Sequence, residues 1–221
     1  MGAMIEFKRP DGQSTAAYFA DAGAAAPGLV LIQEWWGLNE HIRSVADRFA
    51  QAGFSTLAPD LYRGRLASSG EEANHLMTGL DFADATHQDL RGAAQHLHQG
   101  GRAVGVLGFC MGGALTISAA VHVPELAAAV CFYGIPPLEL ADPARIRVPL
   151  QGHFAQLDDW CTPAAAADLA QRMQGAGLQP ELHHYAADHA FFNNARPEVF
   201  DAAAAALAFE RSTAFLRQHL R

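Results

Sequence analysis

Positive charge is scarce in this chain, and cysteine is scarcer. Its 221 residues hold 15 lysines and arginines against 23 aspartates and glutamates, a net charge of −8. The basic residues are scattered, which excludes a surface built to neutralise a nucleic-acid backbone. Three cysteines, Cys110, Cys131 and Cys161, lie 21 and 30 residues apart. That spacing is neither a disulfide framework nor a paired-cysteine metal pattern, and it suits a reducing compartment. No apolar run reaches the roughly 18 residues of a membrane span. The start, MGAMIEFKRPDGQ, lacks the basic and apolar parts of a secretory signal. HExxH, GxGxxG and Walker patterns are missing too, so no metal or other cofactor is expected. The expectation is a cytoplasmic protein without nucleic-acid or membrane partners, either a monomer or a homodimer.

Apolar residues make up half of the chain and charged residues 17%. That is enough to bury one sizeable core, and residues 1–221 read as a single domain. Strand-like runs alternate with helical patterns. GLVLIQEW (28–35) is nearly continuous in its apolar residues, as in a strand buried on both faces. After it, Asn39 is a helix N-cap candidate. Ile42, Val45, Ala46, Phe49 and Ala50 then form a stripe at helical spacing that stops at Gly53. Strands are also expected in 55–62, 103–109, 126–134, 148–154 and 181–186, with helices over 82–98, after Cys110, over 163–174 and over 198–219. Residues 63–80 are more polar and could form part of a lid, and 135–147 read as a loop. The alternation predicts an α/β fold, a mostly parallel central sheet with helices on both faces.

The stretch VGVLGFCMGGALTISAA (104–120) sets a cysteine between an apolar strand and a helix start, with Gly108, Gly112 and Gly113 around it. Gly108-Phe-Cys-Met-Gly112 has the form of a nucleophile elbow with cysteine in the serine place. In such a turn the residues two places either side of the nucleophile must be small, so that strand and helix can approach. The side chain then projects from the strand's carboxyl end, beside a helix N-terminus that favours negative charge. The N–H of Met111 would be one oxyanion donor. The bland reading is a packing cysteine in a glycine-rich turn; the downstream partners weigh against it.

An elbow's partners follow in the order acid, then histidine, near the ends of later strands. GHFAQLDDWCTP (152–163) offers Asp158 and Asp159. Asp158 is preferred for its place at the start of the loop, with Asp159 as a helix N-cap before Pro163. DHAFF (188–192) offers His189. His183 and His184 lie within a strand and read as surface or packing residues, and His153 is a competitor at a strand end. Glu34, in LIQEWWG, ends a strand on the same rim as the elbow. It reads equally as a salt-bridge or capping residue and as the thiol's proton acceptor, with the N–H of Trp35 completing an oxyanion hole. Trp35, Trp36, Phe191 and Phe192 either line a pocket, pack beneath it, or form an exposed interface.

QEWWG (33–37), APDLYRG (58–64), GFCMGG (108–113), CFYG (131–134), GHFAQLDD (152–159) and DHAFFN (188–193) together resemble the dienelactone hydrolases, or carboxymethylenebutenolidases, of the α/β-hydrolase fold. The resemblance spans about Pro27 to Leu220. It implies a Cys-His-Asp triad of Cys110, His189 and Asp158, with Glu34 as partner of a thiol held neutral at rest. It also implies a pocket to which Tyr133, Trp36, Phe191 and Asn193 contribute. Family members acting on dienelactone carry an arginine shortly after the histidine, to hold the substrate carboxylate. Here Asn193 stands in that place, and the next arginine is Arg196. For a second such arginine, Arg63 and Arg65 are the candidates. The implied activity is hydrolysis of a small lactone or ester through a cysteine thioester. The alternative is a non-catalytic ligand-binding or redox-sensing protein on the same fold.

Overall fold

A computed structural model describes residues 1–99 and 101–221. The chain opens with a hairpin, β1 (Ala3–Lys8) and β2 (Ser14–Ala20), and continues with β3 (Gly28–Ile32), α1 (Glu40–Gln51) and β4 (Ser55–Pro59). Helices α2 (Gly70–Thr78), α3 (Phe82–Asp84) and α4 (Arg91–His98) lead to β5 (Val104–Phe109) and α5 (Met111–His122). Then come β6 (Ala128–Phe132), β7 (Leu150–Ala155), α6 (Pro163–Gly175), β8 (Glu181–Tyr185) and α7 (Ala202–His219).

The strands form one eight-stranded sheet in the order β1-β2-β4-β3-β5-β6-β7-β8. Strands β3 to β8 pair in parallel, and the hairpin adds an antiparallel edge. The central strands β3, β5 and β6 are buried along their whole length, which is why their sequences are apolar without alternation. Side chains alternate across the sheet into two cores. Val30, Ile32 and Val106 pack toward α4, α5 and α6, while Leu29, Leu31 and Leu107 pack toward α1 and α7. This is the mostly parallel, doubly covered α/β sheet that the sequence predicts.

Local chemistry sets most boundaries as expected. Asn39 caps α1 by accepting the N–H of Ile42 at 3.1 Å. Two helices depart from expectation. The helix expected over 198–219 begins at Ala202, because Asp201 takes up the N–H groups of Ala203 and Ala204 while the N–H groups of Val199 and Phe200 turn back to Arg196. The helix expected over 82–98 contains a π-helical turn, Ala85–Leu90. Within it the Thr86 hydroxyl bonds the Phe82 carbonyl at 2.8 Å and lies 3.0 Å from Ser118 Oγ. A side chain competing for a helix carbonyl accompanies such irregular turns.

His153, a strand-end competitor by sequence, lies wholly buried within β7. Its ring nitrogens meet Tyr185 Oη at 2.7 Å, Gln151 Oε1 at 2.9 Å and Ser212 Oγ at 3.1 Å, and the ring stacks on Phe132 and His183. Burial, with His183 and Arg211 nearby, holds its pKa well below the ordinary histidine value. The unfolded chain therefore binds a proton that the folded chain refuses. Stability from this site is present above the unfolded pKa and is lost as pH falls below it, at up to ~1.4 kcal/mol per pH unit. Between about pH 7.5 and 5.5, urea titrations of His153→Gln should give a shallower decline than wild type. Parallel declines would exclude this assignment. His41 and His96 shift in the same direction through burial, so some slope remains in the variant.

Candidate active site

Cys110 sits in the turn between β5 and α5 with φ of 56° and ψ of −118°, a conformation that L-residues rarely adopt. The turn is fixed from both sides. The Cys110 N–H bonds the Phe132 carbonyl at 3.0 Å, and its carbonyl accepts from Gly113 and Ala114. A Cβ on Gly112 would lie 2.5 Å from the Gln33 carbonyl oxygen and 2.6 Å from that of Ile32, and one on Gly108 would run into the Gly112 carbonyl. The glycines let the helix start press against two strands. The thiol is 7% exposed and lines a cavity of about 170 Å³.

Glu34, Trp35, Trp36, Met77, Trp160, His189, Ala190 and Arg196 complete the lining. His189 Nδ1 lies 2.7 Å from Asp158 Oδ2, a bond that fixes the Nδ1 proton and leaves Nε2 as the free ring nitrogen. Asp158 is buried and its Oδ1 accepts the N–H groups of Trp160 at 2.9 Å and Cys161 at 2.8 Å. Asp159 is exposed. Nor is Asp159 the helix cap: Thr162 holds that position, accepting the Ala165 N–H at 3.3 Å, because it directly precedes Pro163.

Glu34 is 2% exposed. Its Oε2 accepts from the Asn193 amide at 2.5 Å and its Oε1 from the Tyr133 hydroxyl at 3.4 Å. It makes neither a surface salt bridge nor a helix cap. Burial raises its pKa, against smaller opposing effects of Asn193, His189, Arg196 and Tyr133. Burial and the Glu34 carboxylate likewise push the Cys110 thiol well up, while the backbone N–H groups of Met111 and Trp35 act the other way. The sulfur thus rests as a neutral thiol with a proton acceptor and two backbone donors beside it.

Four residues were expected in the pocket wall. Trp36 lines it, but Tyr133, Phe191 and Asn193 lie buried behind it. The reason is that they hold the lining groups. Tyr133 and Asn193 grip Glu34, Phe191 packs on Tyr133 at 5.4 Å, and the Tyr133 ring meets His189 edge-on at 5.0 Å. Phe191 and Phe192 are both buried, so they form no exposed interface. Arg63 and Arg65 do not line the cavity. Arg63 clasps Asp89 through both carboxylate oxygens, and Arg65 Nε donates to the Tyr62 carbonyl at 3.3 Å. The polar segment 63–80 contributes Met77 of α2 to the wall. Trp160 and Met77 were missed as lining residues, and no local pattern marks either.

Among the described residues no group of three or more His, Cys, Asp or Glu side chains could hold a metal ion, and no helix is long and apolar enough to cross a membrane. The arrangement offers a thiol, a carboxylate able to accept its proton, an imidazole anchored by a second carboxylate, and two N–H donors. Together these are suited to acyl transfer.

The family model described as "Dienelactone hydrolase family" matches residues 15–220. Protein usf of Aquifex pyrophilus is 33% identical over 231 residues, covering 100% of both chains. A candidate carboxymethylenebutenolidase of Aquifex aeolicus is 30% identical over 232 residues, again covering 100% of both. Among solved structures, a candidate dienelactone hydrolase from Klebsiella pneumoniae superposes with a TM-score of 0.86 at 25% identity, covering 99% of this chain and 100% of its own. A dienelactone hydrolase-like promiscuous phosphotriesterase from metagenomic libraries shares the fold, with a TM-score of 0.84 at 22% identity over 100% of this chain and 99% of its own.

Proposed function

The chain belongs to the dienelactone hydrolase family and is an ester hydrolase, and from that premise we propose that it cleaves small lactones or esters through a thioester on Cys110. The observation that carries this reading is the Asp158–His189 hydrogen bond of 2.7 Å at the edge of a cavity lined by Cys110 and Glu34.

At rest Cys110 keeps its proton, and His189 is held by Asp158 through Nδ1. When the ester binds, Glu34 takes the thiol proton. The sulfur attacks the carbonyl carbon, and the oxyanion is held by the N–H groups of Trp35 and Met111. The proton passes from Glu34 to His189, and the carbon–oxygen bond of the ester breaks as His189 gives it to the leaving oxygen. Neutral His189 then takes a proton from water, whose oxygen attacks the thioester. The departing thiolate recovers a proton from His189, and the starting state returns. Burial raises the pKa of Glu34, which makes its carboxylate a stronger proton acceptor than an exposed one. Residues 1–221 act as one domain in this reading, because a single sheet carries every participating loop.

Substrate charge follows from Asn193. It gives its amide to Glu34 and is buried, so it offers no cation to a substrate carboxylate. The cation on the cavity wall is Arg196, whose Nε is bound to Glu198 at 2.8 Å and whose guanidinium lies 5.7 Å from the Trp36 ring centroid. A non-catalytic binder would have little use for the anchored imidazole.

Iodoacetamide tests the nucleophile. Alkylation of Cys110, located by peptide mass mapping, should proceed in step with loss of p-nitrophenyl acetate hydrolysis and be slowed by a competing ester. Full alkylation of Cys110 with activity retained would overturn the thioester route.

A further inference from the structure

Trp160 is half exposed, with 50% of its surface open to solvent, yet it lines the same cavity as Cys110 and His189. Large aromatic side chains are ordinarily drawn into cores, and an indole left open at the mouth of a cavity is available to a ligand. Its position is held from the backbone: the Trp160 N–H donates to Asp158 Oδ1 at 2.9 Å. The indole meets the His189 ring edge-on, with centroids 5.2 Å apart. The residue thus touches both members of the imidazole–carboxylate pair, while half of its surface stays open to solvent.

We propose that Trp160 is a specificity-determining residue for the alcohol half of the substrate, favouring esters whose leaving group is aromatic or otherwise flat and apolar. This rests on the hydrolase reading above. The geometry follows from which side of the scissile carbonyl each group must occupy. The oxyanion points to the N–H groups of Trp35 and Met111, the donors assigned to it above. The leaving oxygen must point to His189, the group that protonates it. Whatever that oxygen carries lies next to the imidazole, and the lining side chain that meets the imidazole edge-on there is Trp160. A phenyl group can lie against the indole and shield apolar surface from water, whereas a small alkyl group reaches little of it.

The test holds the acyl group constant and changes the alcohol. For phenyl acetate and trifluoroethyl acetate, kcat/KM is measured with wild type, Trp160→Ala and Trp160→Phe. Each ratio to wild type cancels the intrinsic reactivity of the ester, and kcat/KM reports acylation, the step in which the alcohol leaves. Trp160→Ala should lose roughly 10- to 100-fold on phenyl acetate, the scale of a lost apolar contact in a specificity pocket. It should change less than about threefold on trifluoroethyl acetate, and Trp160→Phe should restore most of the phenyl acetate rate. Equal losses on both esters would reduce Trp160 to a support for His189 and overturn the proposal, as would no loss on either. Inhibition by phenol supplies a second readout independent of turnover: its inhibition constant should weaken in Trp160→Ala, and an unchanged constant counts against the subsite. A failure of the thioester reading looks different, since Cys110→Ala would then retain activity on both esters whatever stands at position 160.

Discussion

Cys110→Ala should lower kcat/KM for p-nitrophenyl acetate by at least about 10,000-fold, the scale on which removal of a covalent nucleophile acts. The thiol sits in a backbone conformation that serves little purpose except to project it, with φ of 56°. Alanine keeps the same backbone class, so the glycine contacts at 108 and 112 and the bonds of the turn to Phe132, Gly113 and Ala114 survive. Folding, read by thermal melting, should therefore remain close to wild type while turnover collapses. Full activity in a well-folded Cys110→Ala protein would refute the thioester mechanism. A water attacking directly from His189 would still enjoy the oxyanion donors and Asp158, which explains why a small residual rate above background is expected.

The second large effect separates two neighbouring carboxylates. Asp158→Asn should cost about 10,000-fold in kcat/KM, against less than about twofold for Asp159→Asn. Asparagine at 158 keeps an oxygen to accept the N–H groups of Trp160 and Cys161, so the loop holds its shape. Its other atom becomes an N–H₂ facing His189 Nδ1, where Oδ2 now accepts at 2.7 Å. Two donors cannot share that line, so the ring must move its proton to Nε2 and loses the charge partner of its imidazolium. Asp159 is exposed and its replacement disturbs none of these bonds. Steady-state kinetics on both variants checks this directly; equal, mild losses would remove the acid from the mechanism.

Much of this molecule is legible in its sequence. The buried parallel strands, the cap at Asn39 and the glycine spacing around Cys110 are local facts, decided within a few residues. So is the chain order of thiol, acid and imidazole, because each stands where a strand of the sheet gives way to a loop. The N-terminal hairpin was not legible. β1 is mostly exposed at the sheet edge, and the alanines of β2 blur the alternation that would mark a half-buried strand.

What only the tertiary structure decided is which side chains meet across long stretches of sequence. Asn193 reaches Glu34 over 159 positions, turning a residue expected in the substrate wall into the buried support of a carboxylate. The choice of Asp158 over Asp159 depends on where the His189 loop, 31 residues on, comes to rest. Trp160, from the loop after β7, and Met77, from α2, join one cavity with no motif between them. Local spacing fixes which elements form and what each can present; the separations and angles between elements come from packing the sheet and helices together, and a reacting centre is made of those separations.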